Sequence, residues 1–219
     1  MINKKIAFVH LLNDYSGSPK VLSQIVKNYS KNDIELFTSK DEGFLSNIVE
    51  KHHNFFYKRF ENKFLTLFSY VSSQIDLFFK ILKYKNKDVK IYINTLLPFG
   101  AALAGYITKK EVIYHIHETS IRPNILKKFL RYIVSITASK IIFVSNDLEQ
   151  KEKFENKKSF VIHNALENSF LKIASKYTYN HMHDDKFVVM MICSLKDYKG
   201  IPEFLKIAKQ LESNNHISF

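Results

Sequence analysis

From residue 6 to residue 163, short apolar runs alternate with segments whose apolar side chains recur at helical spacing. The runs at 6–10, 33–38, 89–94, 111–117, 140–144 and 160–163 have the length and bulk of buried strands. Between them, Val21, Leu22, Ile25, Val26 and Tyr29 mark one helix. Phe60, Phe64, Leu67, Phe68, Val71, Ile75, Phe78, Phe79 and Leu82 mark a long amphipathic one whose apolar stripe is expected to pack on a sheet. Further helices are expected at 98–106, where Ala and Gly suit close packing, at 124–137, and from a Ser145 cap to residue 154. Ser18 reads as the N-cap of the first helix, with Pro19 at the first helical position, where its missing N–H costs nothing. Such alternation predicts an α/β fold, a doubly wound sheet of parallel strands joined by helical crossovers.

Sheets of this class bind ligands outside the carboxyl ends of their strands. Chemistry is therefore expected in the loops at 12–18, 94–98, 117–123 and 145–147. The alternation lapses further on, where Ser175 to Asp185 is polar and aperiodic. Residues 173–185 read as a linker between an N-terminal domain, 1–172, and a second piece, 186–219. That piece restarts the pattern with a strand at 187–193, a helix at 201–211 carrying Pro202 in its first turn, and the beginning of another strand at 217–219. It is too short to bury its own faces and reads as the incomplete start of a second domain.

Apolar residues make up 46% of the 219 and charged residues 25%, which excludes a disordered or collagen-like chain. The single cysteine, Cys193, excludes a disulfide framework and a cysteine-based zinc site and fits a reducing compartment. His10 interrupts the first apolar run before it reaches the length of a signal peptide, and no apolar stretch is long enough to span a bilayer. The expected location is the cytoplasm, with a peripheral position at the inner face of the membrane as an option. Lys and Arg number 33 against 21 Asp and Glu, a net charge of +12. Residues 51–90 carry nine cations and three anions, half of that excess. Only Arg59, Arg122 and Arg131 are arginines, which argues against base-edge readout, so nucleic acid is not an expected partner.

Five motifs then carry a family resemblance. They are Ser16-Gly17-Ser18-Pro19 after the first strand, Tyr114-His115-Ile116-His117-Glu118 after a later one, Phe143-Val144-Ser145, Val161-Ile162-His163-Asn164-Ala165, and Ser194 through Ile201 with Lys196, Lys199 and Gly200. In this order and spacing the chain resembles the N-terminal half of a family 4 glycosyltransferase of the GT-B fold, over nearly its whole length. The resemblance implies two Rossmann-like domains facing a cleft, the first holding an acceptor and the second a nucleotide sugar. It implies sugar transfer with retention to a glycan or lipid-linked acceptor, usually without a metal or other cofactor, in the assembly of capsule, lipopolysaccharide or glycolipid. The family's paired glutamates would fall beyond Phe219. The chain therefore reads as truncated and inactive by itself, with a separately encoded C-terminal half as an expected partner. A non-enzymatic remnant or partner subunit is the alternative, and a GT-B epimerase a third.

The site residues follow. Ser16 and Gly17 precede a helix start, where amides and dipole favour an anion and glycine lets the backbone approach a diphosphate; a plain turn and cap is the bland alternative. His115 and His117 lie two apart on a strand and share a side, but two histidines without a third ligand make a poor metal site, and no metal is expected. His117, at the strand end, is the catalytic candidate, its neutral imidazole donating to a developing charge. Glu118 beside it is a second, accepting a hydroxyl proton or binding a sugar. Lys199 matches the family's phosphate-binding lysine, with Lys196 as a partial substitute for an arginine that the family often carries at the position of Ser194. Lys58, Arg59 and Lys63, set among Phe55, Phe56, Tyr57, Phe60 and Phe64, suit an anionic membrane surface. His181, His183, Asp184 and Asp185 have the composition of a metal site but lie in the linker.

Overall fold

The computed structural model describes residues 5–118, 120–178, 187–193, 195 and 199–219. The main sheet has seven strands: β1 (Lys5–Val9), β2 (Ile34–Ser39), β3 (His52–Phe55), β4 (Val89–Asn94), β5 (Val112–Ile116), β6 (Lys140–Phe143) and β7 (Ser159–Val161). All neighbouring pairs are parallel, in the order β3-β2-β1-β4-β5-β6-β7. The crossovers carry α1 (Gly17–Val26), α2 (Lys63–Leu82), α3 (Phe99–Ile107), α4 (Asn124–Thr137) and α5 (Asn146–Glu152). The α/β, doubly wound architecture is thus the one that the alternation predicts. The chain steps outward from β1 to β2 and β3, then returns past β1 to β4 and runs the other way. The β1–β4 pair is therefore the topological switch point, where an open parallel sheet leaves a crevice at its carboxyl edge.

Alternation along each strand divides the core. Ala7, Val9, Ile91 and Ile93 belong to the cluster that holds Leu77 of α2, Ala101 of α3 and Leu130 of α4. Phe8 and Tyr92 belong to the other, with Leu22 and Val26 of α1 and Leu45. The α2–α3 seam is tight because Gly100 has no side chain: a Cβ there would lie 2.0 Å from the Gln74 carbonyl oxygen. The Gly100 N–H donates to Gln74 Oε1 at 3.0 Å.

Three elements of this arrangement differ from the sequence expectation. Helix α1 begins at Gly17, so Ser16 is its N-cap and Pro19 lies inside the first turn. Ser18 therefore caps nothing. Helix α2 begins at Lys63, because the Asn62 side chain accepts from the amides of Phe64 and Leu65 and stops the helix from reaching back to Phe60. Of its aromatic stripe only Phe78 packs against the core; the buried residues are Ser69, Tyr70, Ser73, Gln74, Leu77 and Ile81. The edge strand β3 has no apolar pattern to announce it. His53 Nε2 meets Glu35 Oε2 at 2.8 Å, and Tyr84 donates its hydroxyl hydrogen to the same oxygen.

Residues Met1–Glu167 form one compact unit and Asn168–Phe219 another. The second contains α6 (Asn168–Ala174), β8 (Phe187–Val188), α7 (Ile201–Gln210) and β9 (Ile217–Ser218). Strands β8 and β9 pair in parallel, Phe187 opposite Ile217. Gly200 precedes α7 with φ of 82°, a left-handed conformation that glycine adopts without strain. The strand expected over 187–193 is regular only at Phe187–Val188, where β9 supplies a ladder. No described residue of this unit is buried. Among the described residues, no helix is long and apolar enough to cross a membrane.

Candidate functional site

The loop between β1 and α1 is held by one buried amide. Asn13 Nδ2 donates to the Asp41 carbonyl at 2.8 Å and to Ser46 Oγ at 3.0 Å, its Oδ1 accepts from the Leu45 N–H at 3.0 Å, and its own N–H donates to Ser39 Oγ at 3.0 Å. With that loop pinned, Asp14 Oδ1 accepts from both the N–H and the hydroxyl of Ser16. The Ser16 hydroxyl is thereby drawn away from the helix it precedes. No side chain caps α1, and its first turn contains no acidic residue. A helix start left in this state favours an anion. A Cβ built on Gly17 would meet nothing within 4 Å, so packing within the chain does not require glycine there.

The open space beside Gly17 is a cleft of about 470 Å³. Gly17, Ser18, Lys20, Val21 and Gln24 of α1 form one wall; His117, Val144, Asn164, Ala165 and Leu166, beyond the carboxyl ends of β5, β6 and β7, form the other. Lys20 Nζ pairs with Glu167 Oε1 at 2.9 Å, and that ammonium holds the Glu167 carboxyl below its usual range.

Behind His117 lies a buried polar network at the switch point. Asn94, the last residue of β4, donates through Nδ2 to the Ser18 carbonyl at 3.1 Å. A carbonyl only accepts, so this contact fixes the amide's orientation and turns Oδ1 toward His117 Nε2, 2.8 Å away. His117 must then carry its proton on Nε2 and present a lone pair on Nδ1. His10 Nδ1 contacts Asn94 Nδ2 at 3.2 Å and the Asn94 carbonyl oxygen at 3.1 Å. Tyr92 Oη and His115 Nδ1 are 2.9 Å apart, and the rings of His115 and His117 are 4.2 Å apart. Burial pushes the imidazoles down, His10 and His115 to about 4 and His117 to about 3. All three are neutral at pH 7. Since the Nε2 proton is engaged by Asn94, the free nitrogen of His117 is an acceptor, whereas the sequence reading expects a donor.

Glu118 follows directly. Its Oε2 is shut off from solvent with no hydrogen-bond partner among the described residues, and burial pushes its carboxyl up to about 7. A carboxyl that exchanges its proton near neutrality is suited to general acid–base work.

Ser16, Gly17, His117 and Glu118 thus lie in the first unit around or next to the cleft. Lys199 lies in the second unit, immediately before Gly200 and α7. Lys196 falls outside the described residues, as do Ser194 and the 181–185 cluster. Lys58, Arg59 and Lys63 are exposed on the approach to α2 and at its first residue. Sequence reasoning missed Asn94 and His10. Their signal was a polar residue closing an otherwise apolar strand at its carboxyl end. Among the described residues, no group of three or more His, Cys, Asp or Glu could hold a metal ion.

No family model and no curated protein sequence matches the chain. Solved structures do. Anabaena HepE in complex with UDP aligns with a TM-score of 0.66 and 17% identity, over 98% of this chain and 68% of that one. HepE with UDP and glucose aligns with a TM-score of 0.63. S. aureus MnaA with UDP aligns at 0.55 and 13% identity, over 98% of this chain and 61% of that one. A candidate UDP-N-acetylglucosamine 2-epimerase from Listeria monocytogenes aligns at 0.54 and 11% identity. At these identities the likeness establishes the fold, a Rossmann-like α/β arrangement of the GT-B type.

Proposed function

We propose that this chain belongs to a nucleotide-sugar glycosyltransferase of family 4 type and takes part in binding the donor at the cleft beside α1. The observation that carries the reading is the uncapped start of α1, with Gly17 opening on a cleft whose far wall is His117. The fold is shared with HepE, which holds UDP and glucose. In this reading the Gly17 and Ser18 amides receive diphosphate oxygens, and His117 Nδ1 accepts from a sugar hydroxyl. The acceptor oxygen bonds to the anomeric carbon as the bond to the diphosphate breaks, with retention of configuration. Glu118 takes the hydroxyl proton; the family resemblance gives Lys199, with Lys196, the role of neutralising phosphates. The resemblance noted in the sequence supports a glycan or lipid-linked acceptor in cell-surface polysaccharide assembly. It also supports a C-terminal domain that completes the donor site, here or on a separate chain.

The test is calorimetric titration of the purified chain with UDP and UDP-glucose. A Gly17→Ala variant should keep its melting temperature, because the new methyl enters open space, yet bind UDP about tenfold more weakly by crowding the diphosphate. Absence of UDP binding to the unaltered chain would leave the non-enzymatic reading in its place. The likeness to an epimerase favours a second reading, epimerisation of the nucleotide sugar. Product analysis separates the two: an epimerised UDP-sugar in one case, free UDP with a glycosylated acceptor in the other.

A further inference from the structure

Helix α2 packs Leu77 and Ile81 into the core and carries a second apolar row on the side turned away from it. Phe64, Phe68, Ile75 and Phe79 are 82%, 73%, 54% and 57% exposed, and Val71 lies on the same side. The inward side mixes polar and apolar residues, with Ser69, Ser73 and Gln74 buried beside Tyr70, Leu77 and Ile81. Steps of four and three residues place the outward side chains in one row along a helix about 30 Å long. The row contains no charge. Of the charged residues farther along the helix, Asp76 and Lys80 pair with each other at 2.6 Å. Cations instead gather at both ends. Lys58, Arg59 and Lys63 are exposed at the start and Lys83, Lys85 and Lys87 at the finish, against Glu61 and Asp88 as the only acids there.

We infer that α2 is a membrane contact. It lies in the plane of an anionic bilayer with its aromatic row at the boundary of headgroups and acyl chains, and both lysine clusters meet lipid phosphates. Residues 64, 68, 71 and 75 also keep the spacing of a coiled-coil seam, so a second copy of the chain would match this part of the row in shape. Charge decides between them. Because both ends of α2 are positive, parallel and antiparallel pairing alike would bring cations against cations, whereas an anionic surface complements both ends. This contact lies on a different surface from the α1 cleft and does not depend on nucleotide binding.

The experiment is co-sedimentation of the whole chain with phosphatidylcholine vesicles, with and without a quarter of phosphatidylglycerol, at low and high salt. Binding should require phosphatidylglycerol and weaken with salt. A Phe68→Glu, Ile75→Glu double variant should lose at least tenfold in vesicle affinity, and a Lys63→Ala, Lys83→Ala pair about thirtyfold, at roughly fivefold per lysine. All four positions are exposed, so circular dichroism and melting temperature should not change and loss of fold is separated from loss of contact. Absence of binding by the unaltered chain, or equal binding to neutral vesicles, overturns the inference. So does a dimer in sedimentation velocity that Ile75→Glu dissolves while lipid has no effect, which would assign the row to a second copy.

Discussion

The Asn94 amide donates to the Ser18 carbonyl at 3.1 Å, and that contact turns its oxygen toward His117 Nε2. The consequence reaches from a buried strand end to the cleft wall: the one proton of a neutral imidazole is held by Asn94, and Nδ1 keeps a lone pair. Asn94→Leu would remove both halves of this arrangement, leaving the His117 Nε2–H without its acceptor and the Ser18 carbonyl without its side-chain donor. It should lower stability by about 2 kcal/mol, read from the urea midpoint. In nitrogen-resolved NMR, His117 of the unaltered chain should show the Nε2–H tautomer, and the variant should lose that preference. Observation of Nδ1–H in the unaltered chain would refute the assigned network. His117 was visible in the sequence because it closes an apolar strand within a recognisable motif. Its partner was not, since nothing local distinguishes Asn94 from any polar residue at a strand end.

At the scale of elements, two glycines show how the same residue type serves opposite purposes. Gly17 faces open space, so its smallness matters only to a ligand. Gly100 sits where α3 crosses α2, and a methyl group there would overlap the Gln74 carbonyl oxygen at 2.0 Å. Backbone cannot swing aside as a side chain can, so Gly100→Ala should force the helices apart. A loss of about 3 kcal/mol is expected, measured as a fall in melting temperature. Close packing in this helix was legible from its Ala and Gly content. The orientation of α2 was not. Its periodicity announced an amphipathic helix, but the inward surface is set by Gly100 and the Tyr70 hydroxyl, which donates to the Leu97 carbonyl at 2.6 Å. Small and polar groups fit that seam beside the Tyr70 ring, and Phe64, Phe68 and Phe79 are left outside.

For the whole molecule, the network at the switch point makes stability depend on pH. His10, His115 and His117 titrate near 6.5 when unfolded but at about 4, 4 and 3 when folded. Their contribution is therefore complete above pH 6.5 and is lost as pH falls toward 4. Glu118 opposes them: its carboxyl, at about 7 folded against 4.5 unfolded, keeps a proton in the fold through that window. Between pH 4.5 and 6.5, unfolding should take up three protons at the histidines and release one at Glu118, a net uptake of about two. Urea midpoints should rise with pH across this range, and His10→Asn should reduce the slope by about one proton. A flat profile would contradict the buried, neutral network. The parallel α/β architecture and most of its strands and helices were written in the sequence, because hydrophobic periodicity is a local property that each segment carries by itself. The edge strand β3, the outward face of α2 and the meeting of His10, Asn94 and His117 were decided only by tertiary structure. His10 and Asn94 are 84 positions apart in the chain and come into contact because β1 pairs with β4. The neighbours that a residue gains in this way, and the water that it loses, are properties of the assembled sheet and not of any segment within it.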